Sequence, residues 1–161
     1  MPGIARFMKV SRSRFEADWQ DGPAPWDAIR LPRRATSGSA GYDFFAPADI
    51  ELAPGGTVTV PTGVRAKIAS GCVLMLFPRS GLGFRYRVML NNTVGVIDSD
   101  YFDALNEGHI FVKLYNAGPR PLSVPAGAAF AQGVFLPYGL TDDDDADAPR
   151  TGGFGSTTGI V

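Results

Sequence analysis

Glycine and proline interrupt this chain so often that long helices are excluded across most of it. Twenty glycines and 13 prolines fall within 161 residues. Between Pro54-Gly55-Gly56, Pro61, Ser70-Gly71, Pro119, Pro121 and Pro125-Ala126-Gly127 only short segments remain, and these read as strands joined by turns. Val64, Ala66 and Ile68 alternate with Arg65 and Lys67, and Ile110, Val112 and Leu114 alternate with Phe111, Lys113 and Tyr115. Each run therefore predicts a strand with two unlike faces. Thr57 to Val60, Val73 to Phe77, Val94 to Ile97 and Phe130 to Leu136 supply further strands. The expected fold is all-β and single-domain, a sandwich, barrel or jelly roll. It carries one short N-terminal helix, for which Ser13 and Glu16 resemble a capping box with Phe15 and Trp19 on one face.

Residues 1–140 are expected to form the β domain, with 1–30 as an N-terminal extension; 141–161 read as an acidic linker, Asp142 to Asp145, followed by a flexible Gly/Ser/Thr-rich arm. The longest uninterrupted apolar run, Val73 to Phe77, is far too short to cross a bilayer, and Met1 to Val10 lacks the pattern of a secretory signal. The single Cys72 can form no internal disulfide and reads as a buried strand thiol; a reducing, cytoplasmic setting is expected. A net charge of −1 and a pI near 5.7 argue against a protein that holds long nucleic acid by bulk electrostatics. Any phosphate it binds must be met locally.

Three segments stand out because each combines glycine with a polar side chain of a definite type. In Pro78-Arg79-Ser80-Gly81 an arginine fork, a hydroxyl and free backbone N–H groups suit phosphate oxygens, although a tetrapeptide of this kind also makes an ordinary turn. Gly95-Val96-Ile97-Asp98-Ser99-Asp100-Tyr101 sets a carboxylate at the end of an apolar strand beside an aromatic ring. Arg150-Thr151-Gly152-Gly153-Phe154-Gly155-Ser156-Thr157 has glycines but neither a preceding strand nor a following GKS or GKT, so it is no P-loop. A closing arm explains it better, with Phe154 stacking on a base while Arg150 and backbone N–H groups meet a polyphosphate. His109 is the only histidine, so no Ser-His-Asp or histidine-metal scheme can be built around it; a loop position is expected.

Together with Ser39-Ala40-Gly41-Tyr42-Asp43 and Ala131-Gln132, these segments resemble, in order and spacing, the trimeric dUTP pyrophosphatase family, over Leu31 to Gly159. The resemblance implies a distorted jelly roll, a homotrimer with shared active sites, and magnesium-dependent hydrolysis of dUTP to dUMP and pyrophosphate. It assigns Asp98 as the base that activates water, and Arg79, Ser80, Gly81, Gln132, Arg150, Gly155 and Ser156 to the phosphates. Asn92, Gly95, Val96, Ile97, Tyr101 and Phe154 fall to the base and sugar, and Asp43 to the metal through water. Tyr101 would pack under the deoxyribose, and Phe154 would cover the uracil.

Three departures accompany the resemblance. Ala128-Ala129-Phe130 lacks the basic residue usual before Ala131-Gln132, Phe102 to Gly108 is longer than the usual turn, and Met1 to Arg30 exceeds the family core. The alternatives are a dCTP deaminase on the same fold, which needs a glutamate base where Val112-Lys113-Leu114-Tyr115-Asn116 has none, and a regulator that uses dUTP to switch protein binding.

Overall fold

In the computed structural model, which describes residues 3–150 and 152, the chain is built from short antiparallel strands. The principal sheet has five strands in the order β2-β3-β12-β7-β9: β2 is Arg33–Arg34, β3 Tyr42–Phe45, β12 Ala129–Pro137, β7 Cys72–Pro78 and β9 Gly95–Ile97. A three-stranded sheet runs β5 (Thr57–Pro61), β10 (Phe111–Asn116), β8 (Val88–Leu90). Two pairs complete the set: β11 (Leu122–Val124) with β4 (Ile50–Leu52), and β1 (Ala5–Lys9) with β6 (Val64–Ile68).

The alternation read from the sequence decides which side chains are inside. Val64, Ala66 and Ile68 are buried, as are Leu74 and Leu76, Val88 and Leu90, Val112 and Leu114, and Leu122 and Val124. They share one apolar cluster with Phe15, Phe44 and Phe130. Burial of each such aliphatic side chain stabilises the fold by about 1.5–3 kcal/mol. Gly133 on β12 has no room for a side chain: a Cβ there would stand 2.7 Å from Leu74 Cδ1. Asn116, wholly buried, is satisfied, since its amide donates to Leu52 O and Arg120 O and its carbonyl accepts from Gly118 N–H.

Several expectations need correction. The N-terminal helix α1 spans Arg12–Asp18, but its cap is Ser11, whose hydroxyl accepts from Arg14 N–H; Ser13 lies inside the helix. A second helix, α2 (Ser80–Tyr86), forms where only a turn was expected. Its two glycines hide it from propensity, and it ends on Arg87 in the left-handed region at φ 56°. Residues Ala5–Lys9, in the N-terminal extension where no strand was among those expected, pair in register with β6 from Ala5↔Ile68 to Lys9↔Val64. Cys72 is only half-buried, at the start of β7. Among the described residues no helix is long and apolar enough to cross a membrane.

The N-terminal helix and the long 102–108 loop hold each other. Ser11 donates its backbone N–H to Glu107 Oε2 at 2.7 Å and its hydroxyl to Glu107 Oε1 at 2.6 Å, which holds the Glu107 carboxyl below its usual range. Beside them His109 lies in the expected loop position and is wholly buried. Its Nε2 accepts from Gly63 N–H at 2.8 Å while Nδ1 donates to Asp18 Oδ2 at 2.6 Å. Asp18 also takes the fork of Arg14. Ser11→Ala should cost about 1 kcal/mol through the lost cap, read as a lowered urea midpoint at constant slope.

Burial pushes the His109 imidazole below 6.5, against the smaller opposing pull of Asp18. The folded chain thus takes up this proton less readily than the unfolded chain. Stability is full above the unfolded value and is lost as pH falls through it toward the lower folded value. Urea unfolding at pH 7.5 and pH 5.5 should therefore show a loss at the lower pH, and that loss should shrink in His109→Gln. A variant with an unchanged pH dependence would remove His109 from this role.

Candidate active site

Two groups of predicted residues are assembled by the principal sheet, and they lie apart. The first forms around the row Arg33, Asp43, Gln132 and Phe77, which stand opposite one another on β2, β3, β12 and β7. Residues directly opposite in a ladder share a face, so Asp43 and Gln132 are neighbours because of strand register. Arg79 follows the end of β7 and donates from Nη1 to Asp43 Oδ2 at 2.7 Å. The Asp43 side chain is 16 % exposed and that of Arg79 39 %. Gln132 Nε2 donates to Pro78 O at 3.2 Å, and its Oε1 lies 2.6 Å from where a Cβ on Gly41 would stand. A side chain at Gly41 of Ser39-Ala40-Gly41 would therefore displace the Gln132 amide from its present position. Ser80 and Gly81 open α2 on the exposed surface, where the first N–H groups of a helix have no partner within it.

The second group gathers at the end of β9. Asp98 is the residue before a 3-10 turn, Ser99–Asp103. The guanidinium of Arg150 bridges two carboxylates, with Nη2 on Asp98 Oδ2 at 2.7 Å and Nε on Asp100 Oδ1 at 2.9 Å. It stands 5.4 Å from the centre of the Tyr101 ring. Arg150 is 12 % exposed and Asp98 49 %. Tyr101 is buried and fixed at its hydroxyl, which donates to His109 O at 2.6 Å and accepts from Asn106 Nδ2 at 2.7 Å. Burial raises its pKa above the ordinary value, so it stays a neutral phenol at physiological pH.

Next to β9 lies a cavity of about 310 Å³ lined by Asn91, Asn92, Gly95, Leu76, Leu90 and Lys113, among others. This is within the size range of small-ligand sites. Gly95 is a glycine because Leu76 Cβ lies 3.0 Å from where its own Cβ would be. Val96 faces solvent while Ile97 is buried in the core, so Ile97 can serve a ligand only through its backbone. β9 is an edge strand, so one side of it has no neighbouring strand in the sheet. A second cavity, of about 280 Å³ between Trp19, Asp49 and Val60, contains none of the predicted residues.

Register decides how far apart the two groups are. β9 pairs with β7 from Leu76↔Gly95 to Leu74↔Ile97, so continuing that ladder sets Asp98 opposite Val73. Arg79 lies six positions further along the same strand line, a distance of about 20 Å at the strand rise. Asp98 and the Arg79–Asp43 pair of one chain therefore form two separate clusters on the sheet. Phe154, Gly155 and Ser156 lie outside the described residues. No group of three or more His, Cys, Asp or Glu side chains that could hold a metal occurs among the described residues.

The missing basic residue before Ala131-Gln132 has a spatial counterpart that no local pattern revealed. Ala129 pairs opposite Phe45. Arg30 lies with its guanidinium 4.0 Å from the centre of the Phe45 ring and donates to Gly127 O at 2.9 Å. A cation therefore reaches this region from the N-terminal side of the chain.

Residues 27–158 match the family model described as dUTPase. The chain belongs to the dUTPase family. Its relatives include the deoxyuridine 5'-triphosphate nucleotidohydrolase of Lactococcus lactis, 40 % identical over 132 residues that make up 80 % of this chain and 88 % of the relative. That of Escherichia coli is 42 % identical over 133 residues, 78 % and 85 % of the two chains. Among solved structures, the dUTPase from Streptococcus mutans aligns with a TM-score of 0.67 at 38 % identity, over 84 % of this chain and 98 % of that one. A mutant dUTPase from phage phi11 of S. aureus, with its structural Mg(II) ion, aligns with a TM-score of 0.66 at 18 % identity, over 91 % and 98 %; this likeness bears on the fold alone. The fold is thus the all-β dUTPase type expected from the sequence.

Proposed function

We propose that this chain hydrolyses dUTP to dUMP and pyrophosphate, with Asp98 as the base that takes a proton from the water attacking the α-phosphorus. The observation that carries the reading is the half-exposed Asp98 carboxylate, held beside Tyr101 at one end of an edge strand whose other end, Gly95, lines a cavity together with Asn92. A base of this kind is worth about 10²–10⁴ in rate, so positioning and charge must supply the rest. Arg79, Ser80, Gly81 and Gln132 hold the phosphates, joined from the arm by Arg150, Gly155 and Ser156. Arg150 exchanges Asp98 for phosphate oxygens when substrate arrives, which frees the carboxylate to accept a proton.

The unpaired edge of β9 and Asn92 read the uracil edge, and cytosine would leave buried donors mismatched there. Tyr101, immobilised at its hydroxyl, packs under the deoxyribose and excludes a 2′-hydroxyl, and Phe154 covers the base. Magnesium fits Asp43: this ion commonly takes one carboxylate, waters and substrate phosphates in preference to an all-protein cage, and Asp43 is a lone carboxylate beside the phosphate-binding Arg79. When bound, the ion neutralises charge on the triphosphate.

The separation of about 20 Å that the strand rise gives between Asp98 and Arg79 within one chain supports sites assembled between subunits of a homotrimer, the base from one and the phosphate clamp from another. The reading includes a cytoplasmic setting, in keeping with the lone cysteine, and no long nucleic acid or membrane as partner. The stretch of β10 in which a dCTP deaminase would carry its glutamate, Val112-Lys113-Leu114-Tyr115-Asn116, has none, and this disfavours deamination. Measuring pyrophosphate release from dUTP and the four standard dNTPs, with ammonia release from dCTP as a control, tests the reading. Turnover confined to dUTP is expected; ammonia from dCTP would overturn it.

A further inference from the structure

We infer that Arg33 is an additional substrate-binding residue, contacting the terminal phosphate of the triphosphate from the edge strand β2. The inference rests on the proposed reading of the phosphate face and extends it to a side chain not assigned to it above. Arg33 stands directly opposite Asp43 in the β2–β3 ladder, and Gln132 stands opposite Asp43 on the other side. The three side chains therefore project from the same face of the sheet. The Arg33 Cα is held within about 5.5 Å of that of Asp43 by the pairing, so its long side chain can reach whatever ligand Asp43 and Arg79 meet.

Its neighbour shows the contrast. Arg34 is consumed locally, donating from Nη1 to Ser37 O at 2.8 Å and Ser39 O at 3.1 Å, and so braces the loop that leads into β3. Arg33 is exposed, and its side chain makes no hydrogen bond or ion pair among the described residues. A solvated surface arginine is the plain structural alternative. Against it stands the charge of the row: the guanidinium of Arg79 is already matched by the carboxylate of Asp43, whereas a triphosphate carries more negative charge than one magnesium ion neutralises. An unmatched guanidinium on this face, with a fork that suits phosphate oxygens, fills that deficit. Its place on β2, one strand beyond Asp43 and two beyond Gln132, sets it at the outer end of the row. This favours the phosphate farthest from the nucleoside, which departs within pyrophosphate.

The test is steady-state kinetics of the intact protein with Arg33→Gln and Arg33→Lys, together with product inhibition by pyrophosphate and by dUMP. For Arg33→Gln, KM for dUTP should rise about five- to thirty-fold, as expected for one charge-assisted hydrogen bond discounted for exposure, with kcat within about twofold. Inhibition by pyrophosphate should weaken by a similar factor and inhibition by dUMP should not change. Arg33→Lys should recover part of the loss. An unchanged KM and pyrophosphate inhibition in Arg33→Gln, or equal weakening of dUMP and pyrophosphate, would overturn the assignment. Absence of dUTP turnover in the unsubstituted protein would instead defeat the reading on which it rests.

Discussion

Asp98→Asn should lower kcat for dUTP by about 10²–10⁴ while leaving the affinity for dUTP within a few-fold. The amide keeps the shape and part of the hydrogen bonding of the carboxylate but cannot take a proton from water. The side chain is half exposed and is not part of the core, so the melting temperature should move little. Losing Arg150's partner adds a second, smaller effect: the guanidinium keeps Asp100 and is released toward phosphate. Binding can be read by calorimetry with dUTP, and turnover by pyrophosphate release. Turnover within threefold of the parent protein would take the proton-accepting role away from Asp98.

Arg79→Ala should reduce kcat/KM by about 10²–10³, because bound substrate would cover the half-exposed Arg79 side chain and truncating one partner of a covered, hydrogen-bonded charge pair costs about 2–5 kcal/mol. Two losses combine. The phosphates lose their planar fork, and Asp43, now without its 2.7 Å partner, presents an unmatched carboxylate to an anionic substrate. Arg79→Lys should recover only a small part, because an ammonium cannot reproduce the two-pronged geometry. Both residues are partly exposed, so the stability change should stay near 1 kcal/mol. If Arg79→Ala kept more than a third of kcat/KM, phosphate binding would have to be assigned elsewhere on the sheet.

Much of this was legible before any coordinates. Alternation named the buried sets Val64/Ala66/Ile68 and Val112/Leu114 because a strand has a period of two and one face is solvated. The turn residues bounded the strands for the same local reason. What escaped were elements whose signal is weak or distant. α2 forms around Gly81 and Gly83, poor helix residues, against the flank of β8. β1 contains an apolar pair, Phe7-Met8, that reads as nothing until β6 supplies its partner. Ser11 outcompetes Ser13 as the cap because Glu107, 96 residues away, fixes it from outside. Glu107 itself carried no signal, since an isolated glutamate in a loop is ordinarily a solvated charge.

The sequence alone determined the chemistry on offer. A carboxylate after an apolar strand, an arginine before a glycine-flanked serine, and a glycine-rich arm with one cation and one ring are all local patterns, and local patterns survive being read one residue at a time. Only the tertiary structure decided where these groups stand relative to one another. The ladder of β7 with β9 sets Asp98 and Arg79 at opposite ends of one strand line, and the ladder of β2 with β3 brings Arg33 beside Asp43. The buried His109 joins the loop before β10 to Asp18 of α1, 91 positions earlier. Register is the physical reason: it is fixed by which apolar faces pair across the whole chain, and a shift of one residue would turn every such side chain to the other face.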